Sequence, residues 1–449
     1  MSKAIDRRDF FRGSASVLTA GMTLYSRASD MPAREEPQNP DSLSYKVKFF
    51  EFSEYEVADT CWALSVGPDG RIYAAACAEN VPGGLVKVVR YNEEKNGLDY
   101  LFRVADKVND PGDSGRATQA KIHYSFAPSL HDGILYMATH LTAPPFDQLA
   151  YSPWLSWHDE KRCFRGSALL AFDTKTDEVK WWDTLIPKEG CRCMAHDEER
   201  GQIYGLSYPR DHLIAFDLKK RRRRDLGRVG SINSQALFLD QKHRVWLTND
   251  YGHLVRYDPG KDRLEVSPLA LPHNPVFQTG WQSFFYDVVA SPQRDCVYAV
   301  TCIPNPMLVR IWANDDDWPR VDNLGPVSQD RDPTTSVWDH CGGLTFAGDG
   351  QLYYVAQRWR DPVYNPMPAG HKDREGVVWR FNPATLRREE VTLLEHPKDS
   401  APYIARAAVD HNGDLFFAYA GVKPAGIFKV EMPPDRKKQN AHLPIRVWG

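Results

Sequence analysis

Five side chains suited to acid–base chemistry are spread over the middle of this 449-residue chain: His123, His140, Tyr208, Arg210 and Tyr251. An arginine beside a substrate carboxylate would neutralise it and make the hydrogen on the neighbouring carbon more acidic. A histidine or tyrosine would take that proton, and a second one would protonate the leaving oxygen. These residue types suit β-elimination at a uronic acid, and they leave open which residue is the base.

A repeat supplies the elements that would position these residues. A polar turn followed by a short apolar run that ends in an aromatic residue recurs along the chain, at spacings of roughly 40 to 70 residues. A strand precedes each turn, and a third strand with a recurrent ending, such as Val255 to Asp258, follows. We predict an all-β fold, a seven-bladed β-propeller of four-stranded antiparallel blades. The aromatic-ended runs reach Tyr73, Tyr136, Tyr204, Trp246, Tyr298, Tyr353 and Phe416.

The N-terminal segment 45–52 has strand character and precedes the first complete unit. The last unit ends near Val430 without a convincing fourth strand. We expect segment 45–52 to be the outer strand of the last blade and to close the ring, because this would cover exposed strand edges. Residues 45–449 would then form one propeller domain.

The propeller fold predicts which residues share a face. Residues just before the first strand and just after the second strand of every blade converge around the central channel. His123 and His140 hold these two positions in one blade, Tyr208 and Arg210 follow in the next, and Tyr251 in the one after. We therefore predict a single catalytic site made of these five residues.

The same face would also bind substrate. The long insertion 140–166 carries tryptophans that could stack on sugar rings, although a self-packed loop is an equally supported alternative. The predicted substrate-binding residues are Trp154, Trp157, His212, His253 and Arg358.

Four segments of this face resemble the seven-bladed propeller polysaccharide lyases typified by ulvan lyases: Lys121–Ser125, Ala138–His140, Tyr204–Arg210 and Gly252–Asp258. The likeness extends over all blades and is strongest from about residue 120 to 260. It implies elimination at a uronate, with a histidine pair, an arginine that neutralises the uronate and a further tyrosine. His123 and His140, Arg210, and Tyr251 match these roles.

One departure from the family pattern lies at the start of the third blade. The family implies another catalytic tyrosine there, and this chain has Cys191-Arg192-Cys193. Either Tyr208 takes the place of that tyrosine, or the substrate and even the activity differ.

The resemblance also implies a zinc ion with a largely structural role. Cys302, His340 and Cys341 form the favoured ligand set, drawn from two neighbouring blades. The alternative set is Cys191, Cys193 and His196, for which buried thiols or a disulfide are equally supported.

The N-terminus predicts export. Arg7 and Arg8 precede a short apolar stretch and small residues, a pattern typical of a twin-arginine signal peptide over residues 1–28, and a disordered leader over 29–44 follows. An amphipathic terminal helix is the alternative. The apolar stretch is too short to span a membrane, and a net charge of -3 gives no general attraction for nucleic acid. We expect a periplasmic or secreted monomer whose partner is a uronate-containing polysaccharide.

Two other functions remain open. The first is a non-catalytic propeller that binds glycans or a protein through the same face. The second is a metal-dependent lactonase or hydrolase, against which the small number of acidic residues on this face counts.

Overall fold

The computed structural model describes residues 45–112, 114–142, 156–230, 234–272, 284–302, 306–314, 317–328, 340–359 and 374–437, without the side chains of residues 358 and 359. The predicted signal peptide 1–28 and leader 29–44 lie outside these residues, as does Trp154. Within the described ranges, no helix is long and apolar enough to cross a membrane.

The described residues form β-strands and include a short helix, α1 (Val104–Lys107). The strands of the first half are β1 (Lys46–Glu51), β2 (Leu64–Val66), β3 (Ile72–Ala76), β4 (Lys87–Asn92), β5 (Gly97–Arg103), β6 (Gln119–Ser129), β7 (Ile134–Leu141), β8 (Gly166–Asp173), β9 (Glu178–Pro187), β10 (Gly190–Asp197), β11 (Gln202–Tyr208), β12 (His212–Asp217) and β13 (Arg222–Arg228). The second half contains β14 (Phe238–Leu239), β15 (Val245–Thr248), β16 (His253–Asp258), β17 (Arg263–Ala270), β18 (Phe285–Ala290), β19 (Val297–Thr301), β20 (Met307–Trp312), β21 (Arg320–Pro326), β22 (Cys341–Phe346), β23 (Leu352–Trp359), β24 (Arg374–Phe381), β25 (Arg388–Leu393), β26 (Ile404–Val409), β27 (Leu415–Tyr419) and β28 (Gly426–Glu431).

The strands pair in four-stranded antiparallel units that follow the chain order. Four sheets run β2 to β5, β14 to β17, β18 to β21 and β22 to β25, and a fifth has the order β1-β28-β27-β26. An eight-stranded sheet contains two further units, β6 to β9 and β10 to β13, joined where Cys193 of β10 pairs in parallel with Tyr124 of β6. The all-β prediction is confirmed.

Every predicted aromatic-ended run lies on the second strand of its unit, for example Tyr73 on β3 and Phe416 on β27. The N-terminal strand β1 pairs with β28, from Lys46 opposite Glu431 to Glu51 opposite Gly426, so its expected partner is confirmed. The count of seven blades and the closing of a ring stay predictions.

The core lies between the units. The second strands are almost wholly apolar and buried, as in β3, because neighbouring sheets cover both of their faces. Trp246 is among the largest fully buried side chains, its indole N–H donates to Asp240, and its removal from water contributes about 3 kcal/mol. This packing fixes the strand ends from which the candidate site is built.

Candidate functional site

The structure brings three of the predicted catalytic residues together. The ring centres of His123 on β6 and His140 on β7 lie 5.8 Å apart, and those of His140 and Tyr208 lie 4.7 Å apart. Trp62 stacks on the other side of His123 at 4.8 Å. We call His123, His140 and Tyr208 the central row.

A glycine allows the third unit to approach this row closely. A Cβ atom on Gly190, at the start of β10, would lie 2.8 Å from His140 Cγ and 3.0 Å from Leu141 Cδ2. Both distances are shorter than ordinary van der Waals contact, so a larger residue would displace the His140 ring. Gly190 therefore helps to set the position of His140.

The hydrogen bonds of the two histidines give them opposite tautomers. His123 Nδ1 lies 2.8 Å from the carbonyl oxygen of Arg192, which only accepts, so Nδ1 carries the proton and Nε2 has a free lone pair. The Leu141 N–H donates to His140 Nδ1 at 2.8 Å, whereas the Leu141 carbonyl oxygen is at 3.2 Å. The shorter contact makes His140 Nδ1 the acceptor and leaves the proton on Nε2.

Burial keeps the central row uncharged. It holds the pKa of His123 and of His140 well below the usual range, and the positive charges of Lys121 and Arg192 act in the same direction. Burial also raises the pKa of the Tyr208 phenol. At neutral pH the row therefore consists of two neutral imidazoles and a protonated phenol.

Arg210 lies close in the chain to the row but already has a carboxylate partner. Its Nε forms an ion pair with the buried carboxylate of Glu189, and its guanidinium carbon lies 4.8 Å from the ring centre of Trp157. Trp157, predicted to bind substrate, is thus a platform for Arg210.

The other predicted residues occupy separate positions. Tyr251 is 63% exposed, and within the described part of the chain no hydrogen bond or ring contact joins it to the central row. His212 Nδ1 is 2.9 Å from the Asp225 carboxylate, and His253 Nδ1 is 2.8 Å from the Ser267 carbonyl oxygen. Both histidines therefore contact the outer strands of their own units, β13 and β17. Arg358 lies on β23, and its side chain is outside the described residues.

Arg192 is a site residue for which no role was predicted. The pairing of β10 with β11 skips Arg192 between Cys191 and Cys193, so Arg192 lies at a β-bulge. Its guanidinium carbon lies 4.5 Å from the ring centre of Tyr208. A charged residue between two apolar cysteines at a strand start is the signal that could have identified it.

Asp211 is a second unpredicted residue beside the row. Its side chain is fully buried, and neither carboxylate oxygen has a hydrogen-bond partner among the residues that the structure describes. Burial raises its pKa to about 7, and the nearby Asp250 acts in the same direction, while Arg192 opposes both. Asp211 therefore titrates near neutral pH.

The residues predicted to hold zinc are not gathered into a ligand group among the described residues, and zinc stays a prediction. Cys191 and Cys193 are free thiols that pack in different apolar clusters, and burial raises the pKa of Cys191 to about 12. The ring centre of His340 lies 3.6 Å from that of Tyr403. Across the described ranges, no group of three or more His, Cys, Asp or Glu is arranged to hold a metal ion.

Comparison with known proteins gives the fold alone. No family model matches the chain, and no curated protein matches it. Solved propellers do match. The extracellular domain of BT4673 from B. thetaiotaomicron matches at 13% identity with a TM-score of 0.52. The Cps50 (Swd1) β-propeller domain of Myceliophteria thermophila matches at 10% identity with a TM-score of 0.53. The match to BT4673 covers 87% of this chain and 40% of the BT4673 chain. The match to Cps50 covers 86% of this chain and 99% of the Cps50 chain.

A third match is a catalytically inactive virginiamycin B lyase from Staphylococcus aureus, at 12% identity and a TM-score of 0.50, covering 87% of this chain and 100% of that one. At such identities these structures carry over no residue roles. The chain has a β-propeller fold.

Proposed function

We propose that the protein is an exported polysaccharide lyase that cleaves a uronic-acid-containing polysaccharide by β-elimination. The observation that carries this proposal is the central row, in which His123 and His140 are neutral and have opposite tautomers. One nitrogen able to accept a proton and another able to donate one is what an elimination requires.

His123 is the base in this proposal. Its Nε2 takes the proton from C5 of the uronate, the electron pair of that C–H bond forms the C4–C5 double bond, and the bond from C4 to the leaving oxygen breaks. Within the described part of the chain, His123 Nε2 makes no hydrogen bond and is not fully buried. It therefore remains available to a ligand.

The leaving oxygen receives its proton from the other side of the row. Tyr208 is a protonated phenol next to His140, and the raised pKa of Tyr208 favours a donor over a base. Tyr208 thus takes the role of the tyrosine that is absent at Cys191-Arg192-Cys193. The Nε2–H of His140, whose ring packs against that of Tyr208, is the second donor in the row.

The substrate class follows from the chemistry and not from the matched structures. Elimination needs an acidic hydrogen next to a carboxylate and a cation that neutralises the carboxylate. Arg192 lies 4.5 Å from the Tyr208 ring centre, so a uronate fits this end of the row. A lyase is among the matched propellers, which supports the idea that this fold can carry lyase chemistry.

The export part of the proposal rests on the twin-arginine pattern at Arg7 and Arg8. Export would place the enzyme where large polysaccharides occur, in the periplasm or outside the cell.

The test uses the purified full chain with ulvan and a panel of other uronate-containing polymers. Unsaturated product is followed by its near-ultraviolet absorbance. We expect product with at least one polymer and a loss of about 100-fold or more in His123→Gln, since positioned acid–base groups contribute roughly 10²–10⁴-fold. The control is His411→Gln, which changes an exposed histidine in the turn between β26 and β27. A folded protein that yields no product on the whole panel would remove the proposal.

A specific observation favours one rival, the non-catalytic glycan-binding propeller. His123 and His140 are only 4% and 3% exposed, as expected for structural histidines. Under this alternative, a polymer would bind without product, and His123→Gln and His140→Gln would bind it as the wild type does. Turnover that is lost in both variants would reject it.

A further inference from the structure

Arg192 is a cation without a carboxylate partner at the centre of the candidate site. Other arginines of this region are neutralised: Arg210 pairs with Glu189, and Arg406 pairs with Asp287. No described carboxylate forms an ion pair with Arg192, and its Nε is a buried polar atom without a hydrogen-bond partner. A buried guanidinium nitrogen without a partner costs free energy that an oxyanion ligand would recover.

The backbone aims this guanidinium at the central row. Cys191 and Cys193 are buried on either side of Arg192 and anchor the bulge in the apolar core. The Arg192 carbonyl oxygen accepts the His123 Nδ1–H at 2.8 Å, and its guanidinium carbon lies 4.5 Å from the Tyr208 ring centre. The backbone of Arg192 therefore contacts His123, the proton acceptor, and its side chain contacts the ring of Tyr208.

The groups around Arg192 suit an acidic ligand. The guanidinium carbon lies 4.5 Å from the Tyr208 ring centre, and the His140 ring centre lies 4.7 Å from that of Tyr208. The Tyr208 hydroxyl and the His140 Nε2–H are neutral donors, and an oxyanion offers the acceptors that they and Arg192 need. Asp211 is affected by the charge of Arg192, which lowers its pKa, but the two make no hydrogen bond. The guanidinium is thus free to make a bidentate contact with a planar carboxylate.

We propose that Arg192 binds the carboxylate of an acidic sugar and fixes it between His123 and Tyr208. This inference rests on the proposed function, since it names the group that holds the substrate of the same site. It assigns the uronate contact to Arg192, whereas the sequence pattern pointed to Arg210. Arg192 would also orient His123 through its carbonyl oxygen.

The test measures binding and turnover separately. Isothermal titration with glucuronate, galacturonate, neutral methyl glucoside and inorganic sulfate is carried out on the wild type, Arg192→Gln and Arg192→Lys. We expect the two uronates to bind the wild type, methyl glucoside to bind at least tenfold more weakly, and Arg192→Gln to lose at least tenfold in uronate affinity. Arg192→Lys keeps the charge without the planar fork and should be intermediate.

The matched control is Arg320→Gln, a change of an exposed arginine on β21, which should bind uronates as the wild type does. Melting temperatures of all variants establish that they are folded. Equal uronate affinity in wild type and Arg192→Gln would overturn the inference, as would a stronger response to sulfate than to the uronates. Where a polymer is cut, Arg192→Gln should raise KM by at least tenfold.

The outcomes separate this inference from the proposed function. Uronate binding that depends on Arg192, without unsaturated product from any polymer, would keep the carboxylate site and remove the lyase. Unsaturated product formed at wild-type kcat and KM by Arg192→Gln would keep the lyase and overturn the role of Arg192.

Discussion

Replacing Asp211 with asparagine should stabilise the protein at pH 8 and have little effect at pH 4. Asp211 is fully buried, neither of its oxygens has a hydrogen-bond partner in the described ranges, and burial raises its pKa from 3.8 to about 7. Its φ of 55° is one that asparagine adopts readily, so the backbone should not be strained by the change.

The size of the effect follows from the two pKa values. At pH 4 the carboxyl group is protonated in the folded chain and about 40% protonated in the unfolded chain, whose pKa is 3.8, so it costs less than about 1 kcal/mol. As the pH rises from about 4 to 7, the unfolded chain releases this proton and the folded chain retains it, so stability falls. Above pH 7 the full cost is present. A gap of about three between the pKa values, at ~1.36 kcal/mol per unit, corresponds to about 4 kcal/mol, which Asp211→Asn should remove.

The assay is urea unfolding of wild type and Asp211→Asn at pH 4 and pH 8. The difference in free energy of unfolding should grow by several kcal/mol between the two conditions, toward the ~4 kcal/mol limit. Asp132→Asn, which changes an exposed aspartate in the turn between β6 and β7, serves as the control and should show no such growth. An equal effect of Asp211→Asn at both pH values, or a larger loss at pH 8, would refute the reasoning.

Two further changes test other parts of the structure. Gly190→Ala should push the His140 ring aside, because the new Cβ would lie 2.8 Å from His140 Cγ. We expect the variant to fold and to cleave its polymer about 100-fold more slowly than the wild type. Unchanged kinetics would contradict the close packing of Gly190 on His140. Arg406→Met should lower the free energy of unfolding by about 3–5 kcal/mol, because the buried carboxylate of Asp287 would lose the ion pair with Arg406. Urea unfolding measures this difference. A loss below ~1 kcal/mol would show that the ion pair does not stabilise the fold.

The strands could be predicted from the sequence because their signals are local. Turn residues and alternating apolar positions identify the second strands at Tyr73, Tyr136 and Tyr204, and these were confirmed. The meeting of His123 with His140 also follows from strand position, since consecutive antiparallel strands place the start of one beside the end of the next. The partner of β1 was predictable because the last unit lacked an outer strand.

The chemistry of individual side chains could not be predicted in the same way. The position of a residue at a strand end predicts the face of the fold near which it lies, but not the neighbours of its side chain. His212 and His253 were therefore expected to bind substrate on the site face, whereas their side chains contact the outer strands. The Arg210 to Glu189 ion pair depends on a contact between two loops. Arg192 depends on a bulge, and bulges change side-chain direction without a clear sequence signal.

The most direct test of the central claim is a digest of a cleaved polymer in water labelled with heavy oxygen, analysed by mass spectrometry. Elimination breaks the glycosidic bond without adding water, so we expect unsaturated chain ends that carry no label. We also expect His123→Gln to form almost none of these ends. New non-reducing ends that are saturated, in fragments that together have gained one water, would indicate hydrolysis and contradict β-elimination by this site, as would unsaturated ends formed equally well without His123.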